Sequence, residues 1–362
     1  VRRVKYFWGL AVLSVFTASI SLANADDSGC QASIAAIQQS LQTAFGKANA
    51  SILIQQGDQE LVSASFGTAI NSHTRFLLGS VTKTLHATVA VQLLKAGSLD
   101  LEDTVGSRLP SELAAPLPTR WQAVKIRNLL HHTSGIPDYL NRNNQTDQHA
   151  TDTFLKVQHD FSALLAFLPQ ALEFAPDSQF KYSNTNYLIL DRILENVTNL
   201  SDRDLLKQDL IAPLNLPDTG TIDQWDPSVH GSTNIFPSNL DGVGNAYSSA
   251  SDLVTFLKAL DGETLLPQSW IQKMFSPDPA CLGANCNLYG LGFRLPNPAQ
   301  VAGHNWVYHQ GHLNTVSSMV AKVPDLALNM SVVSDRTEFS STGLAVQVFS
   351  SLIQAGCFTS KQ

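Results

Sequence analysis

The chain has 362 residues, 23 Lys and Arg against 30 Asp and Glu, a formal charge of −7, and 44% hydrophobic against 15% charged residues. The acidic balance argues against a nucleic-acid partner and offers no basic patch for an anionic membrane. The length suffices for one large core or two closely packed subdomains, and there is no fixed-period repeat or low-complexity linker.

Residues 1–25 read as a signal peptide. Arg2, Arg3 and Lys5 form a positive n-region, Phe7 to Leu22 is a mostly apolar run, and Ala23-Asn24-Ala25 fits a small-residue cleavage site. Thr17, Ser19 and Ser21 interrupt a run already short for a span, which favours cleavage over anchoring. Cleavage leaves residues 26–362, with 20 Lys and Arg against 30 Asp and Glu and a charge of −10. The protein is therefore expected in the periplasm or the medium, with no stable membrane span. Four cysteines allow three pairings and suit an exported protein. Cys281–Cys286, closing a short loop, and Cys30–Cys357, tying the first helix to the last, are the predicted bonds. A structural zinc site is disfavoured, because the spacing lacks a Cys-x-x-Cys knuckle.

Gln31 to Phe45 is predicted as a helix, with Ile34, Ile37, Leu41 and Phe45 on one stripe. Ser51 to Gln56 and Glu60 to Phe66 are expected strands joined by a Gly57-Asp58 turn. A short strand, Arg75 to Leu78, runs into Gly79-Ser80-Val81-Thr82-Lys83 and then a helix from Thr84 to Ala96, ended by Gly97. Leu85, Val89, Leu93 and Ala96 are its expected buried stripe. From there to about 245 the chain reads as mainly helical with polar loops, Asn141 to Asp152 being the most loop-like. Strands return at Gly290 to Leu295, Trp306 to Gln310, Ser317 to Val323 and Leu328 to Ser334, before a last helix from about Ser340 to Ala355. The prediction is an α+β fold: an antiparallel sheet flanked by the N- and C-terminal helices, with an inserted all-helical subdomain. The α/β part covers about 26–85 and 245–362, the helical part about 86–244, and a cleft between them is a natural active site.

Ser80 and Lys83 are three apart, so one helical turn puts an amine beside a hydroxyl. A serine is a weak nucleophile until a neighbour takes its proton, and a desolvated lysine can do so. Ser178 and Lys181 share the spacing but lack a preceding strand and a following amphipathic helix. His131 and His132, at the end of a helix before Gly135, are expected to shape a loop. Tyr182 and Asn184 precede an apolar helix, Tyr187 to Val197. A tyrosine among cations can become a phenolate and move the serine proton, and an asparagine amide can hold both a lysine and a substrate carbonyl. His309-Gln310-Gly311-His312 lies on a late strand. Gly311 would let a substrate backbone approach the strand edge, and the N–H groups of Ser80 and His312 would form an oxyanion hole. His304, His309 and His312 could be read as a zinc site, but a regular strand turns 309 away from the other two.

Ser80-x-x-Lys83, Tyr182-Ser183-Asn184 and His309-x-Gly311, in that order, resemble the three motifs of the serine β-lactamase and penicillin-binding superfamily. The likeness is nearest to class C β-lactamases, DD-carboxypeptidases with His in the third motif, and family VIII esterases. The Leu-Leu-x-His-Thr-Ser-Gly-Ile run at 129–136, the run leading to Tyr182, and Gly244 to Leu253 agree, so the likeness spans about Gln31 to Gln354. It implies a β-lactamase/transpeptidase-like fold and an acyl-enzyme on Ser80, with Lys83 and Tyr182 handling the proton. Asn184, His309 and Gly311 would place the substrate, and no cofactor or metal is implied. His309 in place of the usual Lys is commoner in carboxypeptidase-like members, while Thr315 stands where the family often has Gly. No Glu-x-x-Leu-Asn segment is present, so Tyr182 would have to activate the deacylating water. The absence of Gly-x-Ser-x-Gly weighs against an α/β-hydrolase. A D-Ala-D-Ala carboxypeptidase-like peptidase is the leading expectation, acting on a small-molecule or peptide substrate. An esterase or a class C-like β-lactamase is its alternative, and a non-catalytic cell-wall peptide-binding module is a rival of another class. Every catalytic position is filled by a competent residue, which counts against that rival.

Overall fold

The computed structural model describes residues 28–140, 153–262, 264–336 and 341–358. The segment 1–25 and the Asn141 to Asp152 stretch lie outside the described residues. Helix α1 (Ser28–Phe45) buries Ile34, Ile37, Leu41 and Phe45, the stripe its spacing dictates. Strands β1 (Ala50–Gln56) and β2 (Gln59–Phe66) form the expected hairpin, with Gly57 at φ 54 in the turn. Late in the chain come β6 (Val307–Leu313), β7 (Val316–Val323) and β8 (Leu328–Ser334). All pairings in this five-stranded sheet are antiparallel, in the order β2-β1-β8-β7-β6.

The two-residue period of the strands separates two cores. Ile52, Ile54, Met319 and Val332 pack with Leu41 and Phe45 of α1 and with Val348, Phe349 and Leu352 of the C-terminal helix Ser341–Gln354. Leu53, Val320 and Val333 face the other way, into a core shared with Leu85, Val89, Leu188 and Phe256. The terminal helices thus cover one face of the sheet, joined there by Val301 and Trp306, and most of the chain between β2 and β6 builds on the other. In the structure Cys30 joins Cys357 and Cys281 joins Cys286, at Cα separations of 5.0 and 5.7 Å. Among the described residues, no helix is long and apolar enough to cross a membrane.

Three differences from the sequence reading stand out. Gly290 to Leu295 is not a strand: it makes isolated bridges at Tyr289–Arg294 and Arg294–Tyr308, and Gly292 turns the chain at φ 83. The expected strand before Ser80 narrows to β3 (Phe76–Leu77). It pairs in a small separate sheet with β5 (Ala246–Ser248), which also carries β4 (Gly220–Thr221) inside the mainly helical stretch. Helix α2 (Thr82–Ala96) is no one-sided amphipathic helix, because every residue from Thr82 to Val91 is buried whereas Ala96 is exposed. Thr82, Lys83, Thr84, His86 and Thr88 all lie inside with hydrogen-bond partners, so apolar periodicity could not reveal a central helix.

Candidate active site

The turn that carries Ser80 hangs between the two sheets. Leu78 N–H donates to the Ala246 carbonyl at 2.8 Å, Gly79–Val81 makes one 3₁₀ turn with Gly79 at φ 51, and α2 continues from Thr82. On the other side is the edge strand β6. A methyl group on Gly311 would stand 1.8 Å from the Leu78 carbonyl oxygen and 2.9 Å from the Ser80 nitrogen; one on Gly79 would stand 3.2 Å from the His312 nitrogen. The two glycines let the backbones touch, and that contact sets the Ser80 and His312 amides side by side. The need for Gly311 is thus met inside the protein, where the sequence reading had placed a substrate.

Lys83 Nζ sits 3.1 Å from Ser80 Oγ and donates to the Val243 carbonyl at 2.8 Å. The side chain is fully buried. Burial pulls its pKa down to about 7; Asp138 works against the shift and the Arg294 charge adds to it. A large fraction is therefore neutral amine at neutral pH, able to receive the serine proton.

Tyr182 lies with Lys83 Nζ and Arg294 Cζ each 5.3 Å from its ring. The phenolate expected from those cations is not what the surroundings favour. Burial pushes the phenol well above its ordinary range, and the Ser80 hydroxyl and Arg294 do not offset it. Tyr182 is therefore a phenol that can give a proton. Its ring packs against that of His132, the centroids 4.2 Å apart and the planes tilted by 35°. His132 Nδ1 accepts from Ser183 N–H, and His131 Nδ1 meets the Tyr289 carbonyl, so both histidines hold loops together.

Asn184 opens the helix α3 (Asn184–Thr198), with Ser183 as the residue before it. Its amide nitrogen is taken by both oxygens of Asp138, at 3.1 and 3.0 Å, and its oxygen has no partner. The lysine it was expected to hold is held by Val243 instead. His309 is placed under the cleft rather than in its wall: it is 1% exposed, and its Nε2 meets the Tyr289 hydroxyl at 2.8 Å. Burial lowers its pKa well below the usual imidazole range, so it carries no charge toward a substrate. The cleft itself, about 650 Å³, is lined by Ser80, Tyr182, Asn184, Arg294, Gln310 and His312 among others.

Asp138, Arg294 and the Val243 carbonyl escaped the sequence reading. Asp138 follows Gly135-Ile136-Pro137 in a run already singled out, whereas Arg294 sat inside a supposed strand. Arg294 makes no ion pair among the described residues, and its Nε has no acceptor. The three late histidines do not converge: His304 pairs with Asp325, His309 with Tyr289 and His312 with Ser317. Among the described residues the one His and carboxylate group close enough to share an ion is His86, Asp191 and Asp202, buried behind α2.

Residues 35–350 match the family model described as Beta-lactamase. Penicillin-binding protein 4* of Bacillus subtilis (strain 168) is 27% identical over 323 residues, 80% of this chain and 68% of that protein. Penicillin-binding protein 4 of Amycolatopsis lactamdurans is 28% identical over 212 residues, 53% of this chain and 52% of that one. Among solved structures, a D-stereospecific amidohydrolase from Streptomyces sp. aligns with TM-score 0.72 and 25% identity, covering 86% of this chain and 97% of its own. A penicillin-binding protein from Bacillus halodurans shares the fold with TM-score 0.69 and 21% identity, covering 90% and 99%.

Proposed function

This chain belongs to the beta-lactamase family and is a serine hydrolase, and from that membership we propose an exported enzyme that forms an acyl-enzyme on Ser80 and acts as a D-Ala-D-Ala carboxypeptidase-like peptidase. Neutral Lys83 takes the Ser80 proton while Oγ attacks the carbonyl carbon. The Ser80 and His312 amides stabilise the oxyanion. Tyr182 gives its proton to the leaving amine and is re-protonated from Lys83. In the second half, Tyr182 passes its own proton to neutral Lys83 as it takes one from the attacking water, and when the bond from Oγ to the acyl carbon breaks, Lys83 returns that proton to Ser80 Oγ. Asn184, through its free amide oxygen, meets the substrate backbone. His309 fixes Tyr289 and supports the β6 wall from below, and Gly311 keeps that wall against the nucleophile turn.

The observation that carries the peptidase reading is Arg294. A guanidinium that lines the same cleft as Ser80, with no ion pair among the described residues, suits a substrate whose leaving group bears a free carboxylate, through charge-assisted hydrogen bonds. The D-stereospecific amidohydrolase with a similar structure supports amide chemistry on D-residues. The signal-like residues 1–25 and the two cystine pairs support export.

Intact-mass analysis with benzylpenicillin tests the nucleophile. A stable adduct on wild type and none on Ser80→Ala fits a slow-deacylating peptidase. Hydrolysed drug without adduct, dependent on Ser80, would move the reading to a class C-like β-lactamase. Turnover of peptide substrates by Ser80→Ala would overturn the assignment. Arg294→Met should lower kcat/KM about 10–10²-fold for a peptide ending in D-Ala-D-Ala and leave its C-terminal amide nearly unaffected. Cleavage of short-chain esters, with both peptides untouched, would point to an esterase.

A further inference from the structure

The acidic group behind α2 is connected to Lys83 by an unbroken chain of contacts. His86 lies one turn along α2 from Lys83; its Nδ1 meets the Thr82 carbonyl at 3.1 Å and its Nε2 meets Asp202 Oδ1 at 2.5 Å. Asp202 belongs to the helix α4 (Asp202–Leu206). Its second oxygen accepts from Asn245 Nδ2 at 2.9 Å, and the same amide reaches Asp241 at 3.1 Å. Asp241 is held from its other oxygen by Arg192 of α3 at 2.5 Å, and Asp191 lies 3.4 Å from His86. Asp241 and Asn245 bracket Val243, two residues to each side, and the Val243 carbonyl is the acceptor for Lys83 Nζ. At Gly242, between them, a methyl group would stand 2.5 Å from Asp191 Cβ, so the loop lies flat on the cluster.

We propose that His86, Asp202, Asn245 and Asp241 are positioning residues for the reaction, acting through the 241–245 loop to hold the Val243 carbonyl on Lys83 and water out of the lysine's pocket. The proposal rests on the reading of Lys83 as the group that receives the Ser80 proton. Two arms fix the loop independently: one runs through His86 to α2 itself, the other through Arg192 to α3. The contacts through His86 and Asp202 are buried, those of Asp241 partly so, and they close a ring that begins and ends on α2, so the lysine and its acceptor move together. Neither arm touches the cleft, and no member of the cluster lines it.

This role has a signature that mere support of the fold does not. Burial is the leading cause of the lowered Lys83 pKa, so a displaced carbonyl that admits water lets the amine regain its proton. Asp138, Arg294, His132, His309, Tyr182 and Tyr187 also face Lys83, and none of these is altered by changing Asn245.

The test is the pH profile of Ser80 labelling by an alkyl fluorophosphonate, in which Oγ displaces fluoride from phosphorus and its proton goes to Lys83. This readout needs no known substrate. Asn245→Ala, and separately His86→Gln, should slow labelling at pH 7 about 10–10²-fold, the cost of a misplaced catalytic group, and shift the acid limb upward. At high pH, where Lys83 is neutral in any case, most of the rate should return. A variant with wild-type circular dichroism and an unmoved acid limb would overturn the proposal, whether or not its rate falls uniformly. If both variants fail to fold, Asn245→Ser, which keeps a small polar side chain without the bridging amide, must show the shift; a wild-type profile there overturns the proposal as well. Failure of the underlying reading looks different. Wild type would then label without an acid limb, or Ser80→Ala would label as fast as wild type.

Discussion

At the scale of single residues, Lys83 is where reactivity and stability oppose each other. Its folded pKa, about 7, lies below its ordinary 10.5, so between these values the folded chain binds fewer protons than the unfolded one and stability rises with pH. Below pH 7 the full penalty of a buried amine is present; above 10.5 it is gone. Lys83→Met should therefore be inactive yet more stable than wild type by about 1–4 kcal/mol at pH 6, with the gap shrinking by pH 9, as read by urea unfolding at the two values. Wild-type kcat/KM should climb tenfold per pH unit below about 7 and level off above it. Gly311→Ala makes the opposite point, since its methyl group meets backbone on the neighbouring turn. We expect a loss of about 1–3 kcal/mol, seen as a lower Tm, with activity falling more than stability. Of these residues, Ser80, Lys83, Tyr182, Asn184 and Gly311 were readable from spacing and motif order. The protonation of Tyr182 was not, because sequence shows the nearby cations and hides the burial that outweighs them. Asp138 and Arg294 were invisible for a related reason: their partners, or lack of partners, are decided by segments far along the chain.

At the scale of elements, the cleft floor depends on how loops are pinned. The short helix Ile126–Leu130 carries Arg127, 7% exposed, which reaches Glu102, Asp177 and Asp278 and so binds the run before Tyr182 to the stretch before Tyr289. Arg127→Met removes the cation shared by three carboxylates, Asp278 among them nearly buried, and should cost about 3–5 kcal/mol, measured by thermal unfolding. Long amphipathic elements were legible: β7 and β8 came out within a residue, α1 starts three residues earlier than expected, at Ser28, and β6 runs on to Leu313. The turn at Gly290 to Leu295 was misread as a strand because its alternating apolar residues serve separate contacts. The central position of α2 was missed because its buried face is filled by hydroxyls, an amine and an imidazole.

At the scale of the whole molecule, the sheet separates the core under the terminal helices from the cleft. The core under the terminal helices contains none of the residues that line the cleft. Cys30→Ala with Cys357→Ala should lower stability by about 2–5 kcal/mol and leave kcat near wild type; a proportional loss of kcat would mean that the two faces are coupled. These two cysteines, 327 positions apart in sequence, have Cα atoms 5.0 Å from each other. The backbone between them is in effect a circle with its seam on the face away from Ser80. A peptide linker could close that seam in place of sulfur, and the chain could then be reopened at the Gly57-Asp58 hairpin turn, where Asp58 is exposed. Such a circular permutant would begin and end elsewhere with the turn that carries Ser80 undisturbed.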